Sequence, residues 1–149
     1  MQTLTAHVMA STSDIGNLEV TRALPSREQR SVGSFVFWDQ FGLGELLKDV
    51  GLDVRPYSHI GLSTLSYLFQ GSIQHRDSLE NDTELQPGGL HFMTSGSGIV
   101  RSERSDITSR ENNTRWSGIQ RWVALPRSSE EMDSAFENYS QEFLPNFAD

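Results

Sequence analysis

Short runs of aliphatic, aromatic and β-branched residues follow one another along the chain. They are Leu18–Leu24, Val32–Trp38, Leu62–Phe69, Ser72–Asp77, Leu90–Met93, Ile99–Arg104 and Trp116–Leu125. Turn-forming residues punctuate most of the gaps, as in Phe41-Gly42-Leu43-Gly44, Glu80-Asn81-Asp82, Gln86-Pro87-Gly88-Gly89 and Ser95-Gly96-Ser97-Gly98. Many short strands with frequent turns predict an all-β barrel or sandwich. Alternation assigns the faces. Leu65, Tyr67 and Phe69 share one side of their strand, and Thr64, Ser66 and Leu68 the other. Ile119, Arg121, Val123 and Leu125 oppose Trp116, Gln120, Trp122 and Ala124. A strand that is apolar on both faces is expected to be covered on both.

The tail changes character. Ser128 with Glu131 three residues on has the form of a capping box. Met132, Phe136 and Tyr139 then recur at helical spacing, which predicts a short amphipathic C-terminal helix over one end or face of the barrel. Glu130 and Glu131 would sit in its first turn, where the helix dipole favours them. The N-terminal stretch is polar and mixed, and is expected to be loosely attached. The chain thus divides into a flexible segment 1–17, a β domain 18–127 and a helical tail 128–149.

At 149 residues the chain has the length of one domain. Twelve basic against twenty acidic residues give a net charge of −8, which argues against direct nucleic-acid binding. Eleven of the bases are Arg, and Lys48 is the only Lys. No Cys is present, so disulfides, thiolate metal sites and cysteine nucleophiles are excluded. No apolar run approaches the roughly 20 residues that cross a bilayer as a helix. A cytoplasmic protein with no membrane partner is expected.

Two pairs could carry chemistry. Tyr57 and His59 are spaced i, i+2, as are Arg101 and Glu103. On a strand each pair points one way, and two such pairs on facing strands could converge. His59 and Glu103 are ordinary metal ligands. Arg101 is permanently charged and donor-only, so it cannot ligate a metal. Tyr57 could bind ferric iron as a phenolate, which an unperturbed phenol near pKa 10 disfavours.

Other candidates have plainer readings. His75 shares a face with Ile73 and Asp77 and reads as a hydrogen-bonded barrel histidine, with a substitute metal ligand as the alternative. His91 reads as structural or exposed, and His7 as solvated. Trp38, Trp116 and Trp122 read as core, although they could stack on an aromatic ligand. Gly96 and Gly98 lack the helix and Lys of a phosphate loop and read as a tight turn.

Several stretches, in order, resemble the N-terminal cupin domain of the pirin family. They are Arg22-Ala23-Leu24-Pro25, Val32 to Asp39, Asp53 to Leu62, Thr64 to Gly71, His75-Arg76-Asp77-Ser78, Met93 to Ile99, Ser102-Glu103 and Gln120 to Pro126. The resemblance runs from about residue 18 to about residue 145. It implies an all-β cupin, a jelly-roll-like double-sheet barrel. It also implies a metal, iron or a similar ion, held by a His-x-His and a His-x-Glu. The ligand positions fall at Tyr57, His59, Arg101 and Glu103. His59 and Glu103 match, while Tyr57 and Arg101 depart, and the His that often follows the Asp of the Phe-x-x-Asp segment is Gln40 here. Family members have been linked to quercetin 2,3-dioxygenase activity and to binding regulatory proteins. Typical members carry two cupin halves, and this chain ends where the second would begin.

Three expectations follow. The first is a pirin-like cupin without a cofactor, serving as a binding or regulatory module for a protein partner or a small aromatic ligand. The second is a divergent dioxygenase with one iron or other divalent transition metal on His59, Glu103 and either Tyr57 or His75. Glu103 would be its catalytic residue. The third, compatible with both, is a half-protein that self-associates, most simply as a symmetric homodimer.

Overall fold

The computed structural model describes residues 8–14, 19–42, 52–105 and 115–145. Eleven strands account for most of them: β1 (Ser11–Asp14), β2 (Glu19–Leu24), β3 (Phe35–Phe41), β4 (Asp53–His59), β5 (Leu62–Gln70), β6 (Ile73–Asp77), β7 (Asp82–Leu85), β8 (Leu90–Thr94), β9 (Ile99–Arg104), β10 (Ser117–Ala124) and β11 (Ala135–Tyr139). A seven-stranded sheet has the order β1-β2-β3-β10-β5-β8-β11, and a four-stranded sheet the order β4-β9-β6-β7. Every strand pairing described is antiparallel.

The two sheets share one core. Val20, Phe41, Leu68 and Trp116 from the larger sheet and its flanks pack with Ile73, Leu85 and Leu52. On β5 it is Thr64, Ser66 and Leu68 that turn inward and are buried. Leu65, Tyr67 and Phe69 therefore face outward. This is the double-sheet β architecture expected of a cupin. Among the described residues, no helix is long and apolar enough to cross a membrane.

Three expectations need correction. The tail is not an amphipathic helix: residues 127–131 form a turn, β11 pairs with β8, and only Gln141–Phe143 make a 3-10 turn. The segment is rich in Asp, Ser and Asn, which are mediocre helix formers. It also supplies what β8 lacks, a partner for its outer edge. Ser134 Oγ donates to the carbonyls of Ser95 and Gly98 at 2.7 and 2.8 Å and pins the segment to the β8–β9 turn. Second, the N-terminal segment is not wholly loose, because Ser11–Asp14 pair with Glu19–Arg22. Third, β3 starts at Phe35. Val32 and Phe35 instead exchange backbone hydrogen bonds of 2.9 and 3.0 Å around a turn in which Gly33 has φ +57°. The turn assigned to Gly96 and Gly98 is present, closed by Gly98 N–H donating to Ser95 O at 2.8 Å. A Cβ on Gly96 would collide with Met132 O. Leu18, His7, Lys48, Leu43 and Gly44 lie outside the described residues.

Candidate functional site

β4 is the edge strand of the smaller sheet. That position tolerates Pro56, which has no N–H to donate. The β4–β9 ladder shifts register between Val54 and Tyr57, and afterwards places Tyr57 opposite Arg101 and His59 opposite Ile99. Arg101 and Glu103 then point inward from β9, both buried.

The side chains form a connected network. Arg101 donates to the Tyr57 hydroxyl from Nε at 3.0 Å and from Nη2 at 2.7 Å. It donates from Nη1 to Thr64 Oγ1 at 3.0 Å. Its Nη2 lies 3.4 Å from Glu103 Oε2. The Tyr57 hydroxyl donates to Glu103 Oε2 at 3.2 Å. Gln120 Nε2 reaches both Glu103 oxygens at 3.3 and 3.4 Å and Ser66 Oγ at 3.1 Å. Trp122 Nε1 donates to Gln120 Oε1 at 3.4 Å. His59 stands beside this network, its ring edge-on to Tyr57 and Trp122, with Nε2 buried and unpartnered.

The electrostatics follow from burial against pairing. Burial pushes the Glu103 carboxyl up, but Arg101, then His75 and the hydrogen bonds from Gln120 and Tyr57, hold it below the ordinary value. Burial opposes the Arg101 charge, and Glu103 with Tyr57 more than restores it. Burial and Glu103 drive the Tyr57 phenol well above its ordinary pKa, so it stays protonated. Burial and Arg101 push His59 down to about 4.

A cavity of about 310 Å³ opens between the sheets. Tyr57 and Glu103 line it with Gln120, whereas His59 and Arg101 lie outside its lining. Its walls include the stacked pairs Phe37–Trp122 and Phe41–Trp116, each with ring centroids 4.1 Å apart. Arg22 and the buried Asp39 close one side through a bidentate pair of 2.8 and 2.7 Å.

A divalent metal ion does not fit these residues. His59 and Glu103 offer donors, but the Tyr57 oxygen already accepts twice from Arg101. Among the described residues, no group of three or more His, Asp or Glu is gathered in a metal-holding arrangement. The guanidinium adds repulsion. At about 4 Å and an effective dielectric near 20, each pair of like unit charges costs about 4 kcal/mol.

His75 keeps its Nδ1 buried without a hydrogen-bond partner. Its Nε2 is 2.9 Å from Asp77 Oδ2, and its ring stacks on Phe136 with centroids 4.4 Å apart. His91, edge-on to His75 at 5.5 Å, is buried rather than exposed, and burial with His75 pushes its pKa down to about 4. Sequence reasoning left Thr64, Ser66 and Gln120 without a role. Their signal was available: each is polar and sits on the inward face of a strand.

A family model described as Pirin matches residues 17–123. The chain is 46% identical over 132 residues to a pirin-like protein of Caulobacter vibrioides, covering 87% of this chain and 46% of that relative. Among solved structures it is similar to a quercetin 2,3-dioxygenase from Acinetobacter baumannii, with 34% identity and a TM-score of 0.79 over 87% of this chain and 42% of that one. It shares its fold, at 18% identity and a TM-score of 0.69, with a bacterial pirin from Escherichia coli in complex with nickel(II), over 87% of this chain and 53% of that one. The chain spans about half the length of the curated relatives it matches.

Proposed function

This chain belongs to the pirin family, and from that premise we propose that it acts without a metal, as a non-catalytic binding or regulatory module whose barrel takes a small aromatic ligand. The observation that carries the reading is the Arg101 guanidinium, buried and bonded to Tyr57 and Glu103. A fixed positive charge stands beside the one carboxylate retained among the family's ligand positions. That neutralises Glu103 and opposes a cation. The cavity supports the ligand half of the proposal. Its volume lies at the small end of the range for small-molecule sites, and its walls are largely aromatic and aliphatic. Glu103, Gln120 and Tyr57 give the ligand a polar end to orient against.

A metal-dependent, quercetin 2,3-dioxygenase-like activity is the second reading. It is favoured by the unpartnered His59 Nε2 and by similarity to the Acinetobacter protein of that name. One experiment separates the two. Oxygen uptake with quercetin is measured after loading with iron, copper or nickel, alongside a quercetinase of known activity. No turnover is expected, while quercetin still quenches tryptophan fluorescence in metal-free buffer. Turnover that disappears with a chelator and in Glu103→Ala would overturn the metal-free reading.

A further inference from the structure

The outward face of the seven-stranded sheet is apolar across its middle. Thr64, Ser66 and Leu68 of β5 and His91 and Met93 of β8 are buried inward, so Leu65, Tyr67, Leu90 and Phe92 turn outward. Phe69 continues that outward line, half exposed, its ring edge-on to Tyr67 at 5.4 Å.

The strand registers place these residues in rows across the sheet. Arg121 is opposite Leu65, Leu65 opposite Phe92, and Phe92 opposite Glu137. The next row runs Ile119, Tyr67, Leu90, Tyr139. The first row therefore has a cation at one end, an anion at the other and two apolar side chains between. At the cationic end, the Arg121 guanidinium lies 3.6 Å from the Trp38 ring centroid. Its Nε is buried and has no hydrogen-bond partner. No carboxylate among the described residues forms an ion pair with it. A guanidinium donor left in this state costs free energy that a carboxylate would recover. At the anionic end Glu137 is exposed, and it holds the Tyr139 phenol above its ordinary pKa.

A two-fold axis in the plane of the interface, parallel to the strands and between β5 and β8, reverses each row onto itself. We propose that this face is the interface of a symmetric homodimer in which Arg121 pairs with the partner's Glu137. The same operation lays Leu65 on the partner's Phe92, Tyr67 on the partner's Leu90 and Ile119 on the partner's Tyr139. Apolar meets apolar and cation meets anion at every one of these positions. Twisted sheets packed face to face cross at about −30°, so opposition is closest at the central Leu65 and Phe92. The long Arg121 side chain absorbs the offset at the rim. The reciprocal ion pairs fix the register, and the apolar rows supply the burial.

The test is the association state of the full chain, measured by sedimentation over a range of concentrations. A reversible dimer is expected. Arg121→Glu and Glu137→Arg each raise its dissociation constant about tenfold or more, and combining them restores it to within about threefold, as complementary charges at an interface predict. Far-UV circular dichroism checks that each variant keeps the fold, since Arg121 also stacks on Trp38. A second measurement uses the absence of native cysteine. Facing sheets lie about 10 Å apart, so a short bis-maleimide should join an Arg121→Cys chain to a Glu137→Cys chain, and neither to itself. A monomer at all concentrations overturns the proposal. So does a dimer indifferent to both charge reversals, or one cross-linked equally well from either single variant.

Discussion

Across the β4–β9 ladder, Arg101 donates two hydrogen bonds to the single hydroxyl of Tyr57, at 3.0 and 2.7 Å. The two residues at the positions where the resemblance implies other ligands are therefore one unit. The phenol oxygen accepts from the guanidinium, and its hydroxyl donates a hydrogen bond to Glu103 Oε2 at 3.2 Å. Neither substitution would serve well alone. An arginine without the phenol loses two acceptor contacts, and a tyrosine without the arginine leaves a buried carboxylate with no cation.

Removing the cation should therefore be costly. Arg101→Ala is expected to destabilise the fold by about 3–5 kcal/mol, the range for breaking a buried ion pair from one side. Tyr57→Phe keeps the pair and loses hydrogen bonds, at about 1–3 kcal/mol. Urea unfolding of the three proteins at neutral pH checks the order. An Arg101→Ala variant as stable as the natural chain would show that Glu103 is not held charged by this contact.

Acid should weaken the fold well before the carboxylates titrate. His59 and His91 are each held to about 4, in both cases chiefly by burial, aided by Arg101 for His59 and by His75 for His91. In the unfolded chain a histidine titrates near 6.5. Between those values the unfolded state binds more protons, so stability falls as pH is lowered from about 6.5 to about 4. The stabilisation from Glu103 and Asp77, both held below the ordinary carboxylate value, is lost only at lower pH. Urea midpoints measured from pH 7.5 to 4 should trace this fall. His91→Leu should flatten it, and an unchanged slope in that variant would remove His91 from the account.

The sequence carried much of this fold where two signals agreed. β9 alternates cleanly between faces and β5 does so over most of its length before Gly71, so their runs were legible. β4 did not read as a run because Pro56 and the register shift before Tyr57 break its alternation. β1 and β7 are too polar to stand out, being pairings made by their neighbours. β11 was misread because Met132, Phe136 and Tyr139 satisfy a helical spacing, whereas only Phe136 turns inward, onto His75 and His91. At the site, the i, i+2 pairs on β4 and β9 were legible because strand geometry fixes their direction. Thr64 and Gln120 were not. Each is polar and on an inward face, but another polar residue stands beside it, Ser63 beside Thr64 and Arg121 beside Gln120, and only the stacking of two sheets shows what it faces.

Restoring the family's pattern should restore an affinity for metal. Tyr57→His with Arg101→His supplies two imidazoles beside His59 and Glu103 and removes the guanidinium. Equilibrium dialysis against nickel, followed by desalting and metal analysis, compares the natural chain, both single variants and the double variant. Tyr57→His alone adds a ligand but keeps the charge, so little gain is expected. Removing one repulsion of about 4 kcal/mol corresponds to nearly a thousandfold in affinity before the added ligands are counted. The double variant should therefore bind at least that much more tightly than Tyr57→His, and adding Glu103→Ala should abolish much of the gain. Equal metal content in all four proteins would show that the Arg101 charge is not what opposes a cation. A Tyr57→His variant binding as tightly as the double variant would show that ligand number, rather than charge, sets the limit.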